Sequence, residues 1–156
     1  MRPFALLFLA LVAGPALAQP ARITDADVRA FAARQEQAWN AGDIDRYFAG
    51  FTPNARFTDQ AYVGDKPPVP YGTSTTAQAR EQARRTRGQS RERGEIRRIQ
   101  IAPDGRSAIV TSRVGSVVQT SGKPRRLCAS RVQTLVVSAA GMRATGQTDT
   151  FVKCSQ

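Results

Sequence analysis

The stretch from residue 24 to residue 59 constrains the fold most, because it predicts two amphipathic helices in quick succession. Thr24 and Asp27 have the spacing of a capping box, and Gly42 can end the helix that they begin. Asp43 predicts the start of a second, shorter helix. Residues 52–54 are typical of a turn, and residues 56–59 predict a short extended segment. One face of the first helix is apolar or small, at Val28, Phe31, Ala32, Gln35, Ala38 and Trp39.

Four later segments alternate as β-strands do and supply a sheet for these helices to cover. They lie at residues 95–102, 107–120, 125–137 and 142–153, separated by turn residues. One face of the sheet is predicted to carry Val110, Val114, Val118, Cys128, Val132 and Val136. The other is predicted to carry a polar row that either meets water or lines a wet pocket: Thr111, Arg113, Arg131, Gln133, Gln147 and Asp149.

The segment between the extended piece and the first of these strands is less regular. Residues 60–75 contain three prolines and two glycines, which predicts a loop without a long helix. Tyr62, Val69 and Tyr71 either contact a pocket beneath this loop or anchor a solvated loop. Residues 76–87 predict a third helix, with Ser74 or Thr75 as its cap. The chain therefore reads as α+β, without internal repeats or a low-complexity linker.

The order of these elements carries a family signature. It consists of WNAGD at residues 39–43, FTPNA at 51–55 and FTD at 57–59, with Tyr47 between the first two segments. This pattern resembles the nuclear-transport-factor-2-like superfamily, which includes ketosteroid isomerases and SnoaL-like polyketide cyclases. The resemblance implies a cone-shaped, cystatin-like fold, in which a curved, mostly antiparallel sheet wraps around three N-terminal helices. A pocket often lies between sheet and helices in such folds.

Residues 1–18 have the features of a secretory signal peptide. A positive start is followed by the apolar run FALLFLALV at residues 4–12 and by ALA at residues 16–18. The alternative is a membrane anchor, but such a helix needs about 20 apolar residues. We therefore expect cleavage near Ala18, and a single domain at residues 19–156 that is periplasmic or secreted, without a stable membrane anchor.

The two cysteines, Cys128 and Cys154, are predicted to form a disulfide. An even cysteine count in an exported chain favours a bridge. If the last two strands form a hairpin that turns near Gly141, Cys128 and Cys154 face each other. The alternative is two separate buried thiols. Because the chain contains no histidine, two cysteines alone do not complete a metal site, and we expect no metal.

The formal net charge of +11 is carried mainly by arginine. An arginine bias follows either from codon usage or from recognition of phosphate and carboxylate groups. The arginines of the third helix predict docking of an acidic lipid, glycan or protein, although a solvated helix flank explains them equally simply. No nucleic-acid-binding motif accompanies them, so no specific nucleic acid is expected. These residues are Arg80, Arg84, Arg85 and Arg87.

Asp59 is the candidate catalytic residue, and the family resemblance points to it. Ketosteroid isomerases place an Asp base in the strand after the second helix, which is where Asp59 lies. Their oxyanion hole uses a Tyr from the first helix and a protonated Asp from a late strand. The matching positions here are Gln35 and, approximately, Gln133, whose amides are far less acidic, so ketosteroid isomerisation is not expected. The alternative for Asp59 is a turn carboxylate bonded to nearby backbone N–H groups.

Three function classes fit these observations. The preferred hypothesis is an exported small-molecule-binding domain without a cofactor, whose pocket lies between helices and sheet. The others are a lyase, cyclase or isomerase that uses Asp59 as its base, and a non-catalytic module that docks acidic partners. With a charged outer sheet face, a monomer or weak homodimer is expected. The predicted pocket lining is Gln35, Trp39, Tyr47, Phe57, Asp59, Arg113 and Gln133.

Overall fold

A computed structural model describes residues 22–119 and 122–154. The predicted signal peptide at residues 1–18 lies outside these described residues. In the described part of the chain, no helix is long and apolar enough to cross a membrane. The elements are α1 (Asp25–Asn40), α2 (Ile44–Ala49), β1 (Phe51–Ala61), β2 (Val69–Thr75), α3 (Thr76–Arg85), β3 (Ser90–Ile101), β4 (Ser107–Val118), β5 (Arg125–Ser138) and β6 (Gly141–Val152).

The helices begin where local capping chemistry predicts. Thr24 accepts a hydrogen bond from the backbone N–H of Asp27, whose carboxylate accepts one from the N–H of Thr24, so the capping box is complete. Asp43 caps α2 by accepting from the N–H of Arg46. Thr75 caps α3 through a second capping box. The three predicted helices are therefore confirmed, with α3 ending two residues early.

The six strands form one curved sheet in the order β2-β1-β6-β5-β4-β3. Strands β1 and β6 pair in parallel, and all the other neighbours are antiparallel. The α+β cone predicted from the resemblance is confirmed. The loop predicted at residues 60–75 is wrong in its second half, because β2 pairs there with β1. The turn predicted at residues 52–54 is also wrong, since β1 already begins at Phe51.

Strand β2 was not predicted because its sequence contains a proline, and proline disfavours β-strands. Pro70 is tolerated here because β2 is an edge strand and Pro70 lies at a register shift opposite Gln60. Strand β3 likewise starts at Ser90, five residues before the predicted start. It forms the other edge, and its several exposed arginines suit an edge that must not pair with another chain.

Sheet register overturns the predicted division of polar and apolar faces. Val110 pairs directly with Gln133, so this valine and the polar side chain share the concave, helix-covered face. Val132 is 36 % exposed on the outer face instead. Arg113, next to the buried Val114, also points outward by strand alternation. The polar row that was expected on one face is therefore divided between the two faces of the sheet. The oligomeric state stays a prediction.

A cluster of aromatic side chains joins the helices to the sheet. Tyr47 and Phe48 of α2 are buried against Phe51 and Phe57 of β1, with ring centroids 4.7–6.0 Å apart. Such pairs contribute about 0.5–1.5 kcal/mol each beyond the area they bury. Trp39 at the end of α1 packs on Tyr47 at 5.0 Å. This cluster fixes α2 against β1 and against the end of α1.

The predicted disulfide between Cys128 and Cys154 is present, with Cα atoms 5.2 Å apart. The register that suggested it is wrong by two residues, because Cys128 pairs with Val152. Cys154 follows β6 and lies diagonally from Cys128, which still satisfies the separation that a disulfide needs. The bridge ties the end of the last strand to β5.

Replacing both cysteines by serine should lower the free energy of unfolding by about 3–4 kcal/mol, because the unfolded chain regains the freedom of a long closed loop. Urea unfolding of the oxidised protein and of the Cys128→Ser/Cys154→Ser variant measures the difference. Reductant should shift the wild-type curve and leave the variant curve unchanged. Coincident curves for the variant and the oxidised wild type would contradict the prediction.

Candidate functional site

A polar row crosses the middle of the concave face. In register, Asp59 of β1 lies beside Asp149 of β6, Asp149 beside Arg131 of β5, and Arg131 beside Ser112 of β4. Residues paired across neighbouring strands point to the same side of a sheet. Four strands therefore bring two carboxylates, a guanidinium and a hydroxyl into one line beneath the helices.

Arg131 is the centre of this row and binds two carboxylates. Its Nε and Nη2 atoms donate to Asp149 at 2.8 Å each, and its Nη1 and Nη2 atoms donate to Glu92 of β3 at 2.9 and 3.4 Å. The three side chains are only 13–16 % exposed. Burial by itself lowers the pKa of the Arg131 guanidinium, but the two carboxylates outweigh burial and raise that pKa. Arg131 is therefore permanently charged and fully paired.

A chain of buried amides extends from this ion cluster towards the helices. Gln147 donates to Asp149 at 3.1 Å and accepts from Gln133 at 2.9 Å. The hydroxyl of Tyr47 also donates to Gln147, at 3.4 Å. Burial raises the pKa of the Tyr47 hydroxyl, so it stays protonated and remains a donor. The chain supplies partners for polar groups that would otherwise be costly to bury.

The first of two clefts flanking Arg131 lies between α3 and strands β1, β2 and β6. It has a volume of about 480 Å³ and is called here the Asp59 cleft. Aromatic side chains of the helices and β1 line it together with polar side chains of β2 and α3. Its lining is Trp39, Tyr47, Phe48, Phe57, Thr58, Asp59, Thr73, Ser74, Gln78, Ala79, Gln82, Ala83, Thr86, Glu92, Arg131, Gln147 and Asp149.

Asp59 differs from Glu92 and Asp149 in accepting no hydrogen bond and forming no ion pair within residues 22–119 and 122–154. The residue is exposed to solvent. Partial burial raises the pKa of this carboxyl, the neighbouring Asp149 raises it further, and Arg131 opposes both effects. The alternative prediction of a turn carboxylate bonded to backbone does not describe it, since Asp59 lies within β1.

The second cleft lies between α1 and strands β3, β4 and β5 and is called here the Gln35 cleft. It has a volume of about 500 Å³, and both Gln35 and Gln133 line it. The Oε1 atom of Gln35 is buried without a hydrogen-bond partner among the described residues. A Cβ atom at position 50 would lie 1.9 Å from the Nε2 atom of Gln35. Any residue other than glycine at this position would therefore displace the Gln35 amide.

The predicted site residues are thus divided between two clefts. Trp39, Phe57 and Asp59 line the first cleft, Gln35 and Gln133 line the second, and Tyr47 borders both. The prediction for Arg113 is corrected, because its strand alternation points it to the outer face and it lines neither cleft.

Several cleft residues were not predicted. Glu92 lies in the arginine-rich start of β3, before the strand that the sequence predicts at residues 95–102. Gln78 and Gln82 lie at helical spacing on an exposed side of α3 that borders the Asp59 cleft. That i, i+4 spacing of uncharged polar residues, between arginines, is the one signal that could have indicated them.

The arginines of α3 lie on its other faces. Arg84 donates to Asp45 of α2 at 2.8 Å, and Arg80 stands over the Phe48 ring at 5.7 Å. Arg85 pairs with Glu81 on the same helix, and Arg87 lies against Gly42. Docking of an acidic partner on these four residues stays a prediction. Among the described residues, no group of three or more potential ligands is arranged to hold a metal ion.

Replacing Arg131 by methionine should destabilise the protein by about 3–5 kcal/mol, because Glu92 and Asp149 are left buried without their cation. Arg97→Met is the matched control. It removes an exposed pair with Glu95, 51 % and 64 % exposed, and should cost at most about 1 kcal/mol. Urea unfolding compares the two variants. Equal losses of unfolding free energy in the two variants would contradict the larger cost predicted for breaking the buried cluster.

Solved structures share this fold at low sequence identity. A ketosteroid isomerase-like protein from Erwinia carotovora atroseptica matches with a TM-score of 0.60 at 16 % identity, over 83 % of this chain and 96 % of that one. An NTF2-like protein with a cystatin-like fold from Novosphingobium aromaticivorans matches with 0.59 at 14 %, over 83 % and 82 %. An NTF2-like protein of unknown function from Shewanella oneidensis matches with 0.57 at 14 %, over 80 % and 97 %.

No protein-family model matches the chain, and no curated protein does. The strand order, the helices and these structural matches together identify the fold as the cone-shaped, cystatin-like fold of nuclear-transport-factor-2-like proteins.

Proposed function

We propose that the protein binds a small organic molecule in the Asp59 cleft. The observation that carries the proposal is the composition of this cleft: aromatic side chains and an exposed carboxylate, which accepts no hydrogen bond from the described residues, line the same concave space. Small-molecule sites are typically concave and largely apolar, with a few polar groups that orient the ligand. The cleft has this character, and its volume suits a molecule of modest size.

Fold similarity supports the same class of function. The Erwinia protein is named ketosteroid isomerase-like, and the Novosphingobium and Shewanella proteins are named NTF2-like. We propose further that binding takes place outside the cytoplasm, since the signal-like residues 1–18 predict export and the Cys128–Cys154 disulfide is compatible with an oxidising compartment.

A second candidate is a lyase, cyclase or isomerase that uses Asp59 as a general base. The raised pKa of the Asp59 carboxyl and its exposure in the cleft favour it, since a base works best when its pKa approaches the operating pH. The positions of Gln35 and Gln133 count against an isomerase with an oxyanion hole, because both line the other cleft. Turnover of a bound compound that survives in Asp59→Asn would exclude this role.

Ligands of the Asp59 cleft should change the fluorescence of Trp39, which is the single tryptophan of the chain and lines the cleft. A metabolite library screened by fluorescence and melting temperature tests the proposal. Ser74→Phe fills the cleft and should abolish responses, whereas Ser130→Phe, on the outer face of the same sheet, should preserve them. Responses unaffected by Ser74→Phe would place binding elsewhere.

Asp59→Asn should stabilise the protein at neutral pH. The pKa of the Asp59 carboxyl is raised above the ordinary 3.8 in the folded protein. At pH values between 3.8 and this raised pKa, the folded protein therefore binds more protons than the unfolded chain. Unfolding free energy therefore falls as pH rises through that window, and asparagine avoids this loss. The gain should vanish below about pH 3.8.

Thermal unfolding at pH 7 and pH 3.5 measures the effect of this substitution. Asp65→Asn, in the exposed turn between β1 and β2, controls for the loss of one negative charge from a basic protein. A difference between Asp59→Asn and wild type that is the same at both pH values would contradict the assigned environment of Asp59.

A further inference from the structure

The charge of the Asp59 cleft is opposite to that of the protein. The chain carries a formal net charge of +11, yet among the described residues the charged groups that line this cleft are three carboxylates, Asp59, Glu92 and Asp149, and one cation, Arg131. Three carboxylates against one guanidinium leave the lining with an excess of negative charge. In a partly enclosed space such an excess acts on a ligand more strongly than surface charges do.

The arrangement of α3 keeps the surrounding arginines out of the cleft. The side of α3 that borders the cleft presents Gln78 and Gln82, followed by Thr86 at the C-cap; all three are uncharged and lie about one helical turn apart. Arg84 is turned towards Asp45 of α2, and Arg85 towards Glu81. A helix with this many arginines therefore contributes none of them to the lining of the Asp59 cleft.

Arg131 offers little to an anionic ligand. Its Nε, Nη1 and Nη2 atoms are all occupied by the carboxylates of Asp149 and Glu92. Those two carboxylates are in turn neutralised in part by the guanidinium they share. Among the charged groups of the cleft, Asp59 is the one without an ion pair to another described residue. It lies beside Asp149 on the neighbouring strand. An anion would meet repulsion there, while a cation would meet an unpaired carboxylate.

The aromatic wall favours the same kind of ligand. Trp39, Tyr47, Phe48 and Phe57 line the cleft on the side of the helices and β1. Aromatic faces attract ammonium groups by about 0.5–1 kcal/mol at exposed sites and more when water is excluded. They also bury the apolar part of a ligand. An ammonium head at Asp59 with an apolar body on these rings would use both features.

We infer that the Asp59 cleft binds small organic ammonium compounds, with the Asp59 carboxylate as counter-ion and the aromatic wall holding the apolar body. This inference rests on the proposed function and gives its ligand class. Because binding requires an ionised Asp59, affinity should weaken in acid, at a pH above the ordinary range of an Asp side chain.

A panel of matched triplets tests the inference. Each triplet contains a primary amine, an alcohol and a carboxylic acid on one carbon skeleton, with phenylethyl, cyclohexylethyl and indolylethyl skeletons among them. Titration calorimetry and Trp39 fluorescence at pH 7 measure binding to the full protein. We expect each amine to bind about tenfold or more tightly than its alcohol, as expected for one partly screened ion pair, and the acids to bind most weakly.

Two variants tie the preference to its residue. Asp59→Asn should reduce amine affinity to that of the alcohol and leave alcohol affinity unchanged, and Asp65→Asn should alter neither. Amine affinity of wild type should also fall as the pH is lowered through the raised pKa of the Asp59 carboxyl, while alcohol affinity stays constant. A melting curve of each protein confirms that the fold is intact under each condition.

The possible results separate the inference from the proposed function. Alcohols or acids that bind as tightly as amines, in a manner blocked by Ser74→Phe, overturn the ammonium preference and keep the proposed binding site. Amine binding that survives Asp59→Asn also overturns the inference. If no member of the panel and no member of the metabolite library binds, both the inference and the proposed function fail.

Discussion

The pairing of Arg131 with Glu92 and Asp149 is the interaction on which the concave face depends. It joins β3, β5 and β6, and all three side chains are nearly buried. A buried ion cluster of this kind gives little net stability over an apolar replacement, yet it is costly to break. Its contribution is therefore to fix where charge lies inside the cone, and the amide chain through Gln147 extends that order to Tyr47.

The same cluster lies between the Asp59 cleft and the Gln35 cleft, since Arg131 and Glu92 line both of them. Gln35 and Gln133 consequently lie on one side of it and Asp59 on the other. Chemistry that needs a base and an oxyanion donor around one substrate atom is disfavoured by this division, whereas recognition of a charged group by Asp59 is not.

The charge balance of the Asp59 cleft differs from that of the outer surface. Arginines of β3 and α3 are solvated or paired with carboxylates such as Asp45 and Glu81. In the Asp59 cleft, carboxylates outnumber guanidinium groups among the described residues. A net positive charge keeps such a protein soluble and discourages association through sheet edges. Net charge does not fix the charge of one cleft, because that depends on the few side chains that line it.

The sequence by itself determined the features that depend on neighbouring residues. Helix starts at Thr24, Asp43 and Thr75 follow from side chains that satisfy nearby N–H groups, and the family signature at residues 39–59 indicated the fold. The disulfide was predicted although the assumed register was wrong, since a bridge tolerates a diagonal neighbour.

Tertiary structure decided which residues meet. Alternation along one strand defines two faces but does not say which face aligns with which on the next strand, and a shift of one residue exchanges them. For this reason Arg113 was expected in the pocket and lies outside, while Glu92 was not expected and completes the ion cluster. Trp39, Phe57 and Asp59 line the same cleft, and one short stretch of chain carries all three.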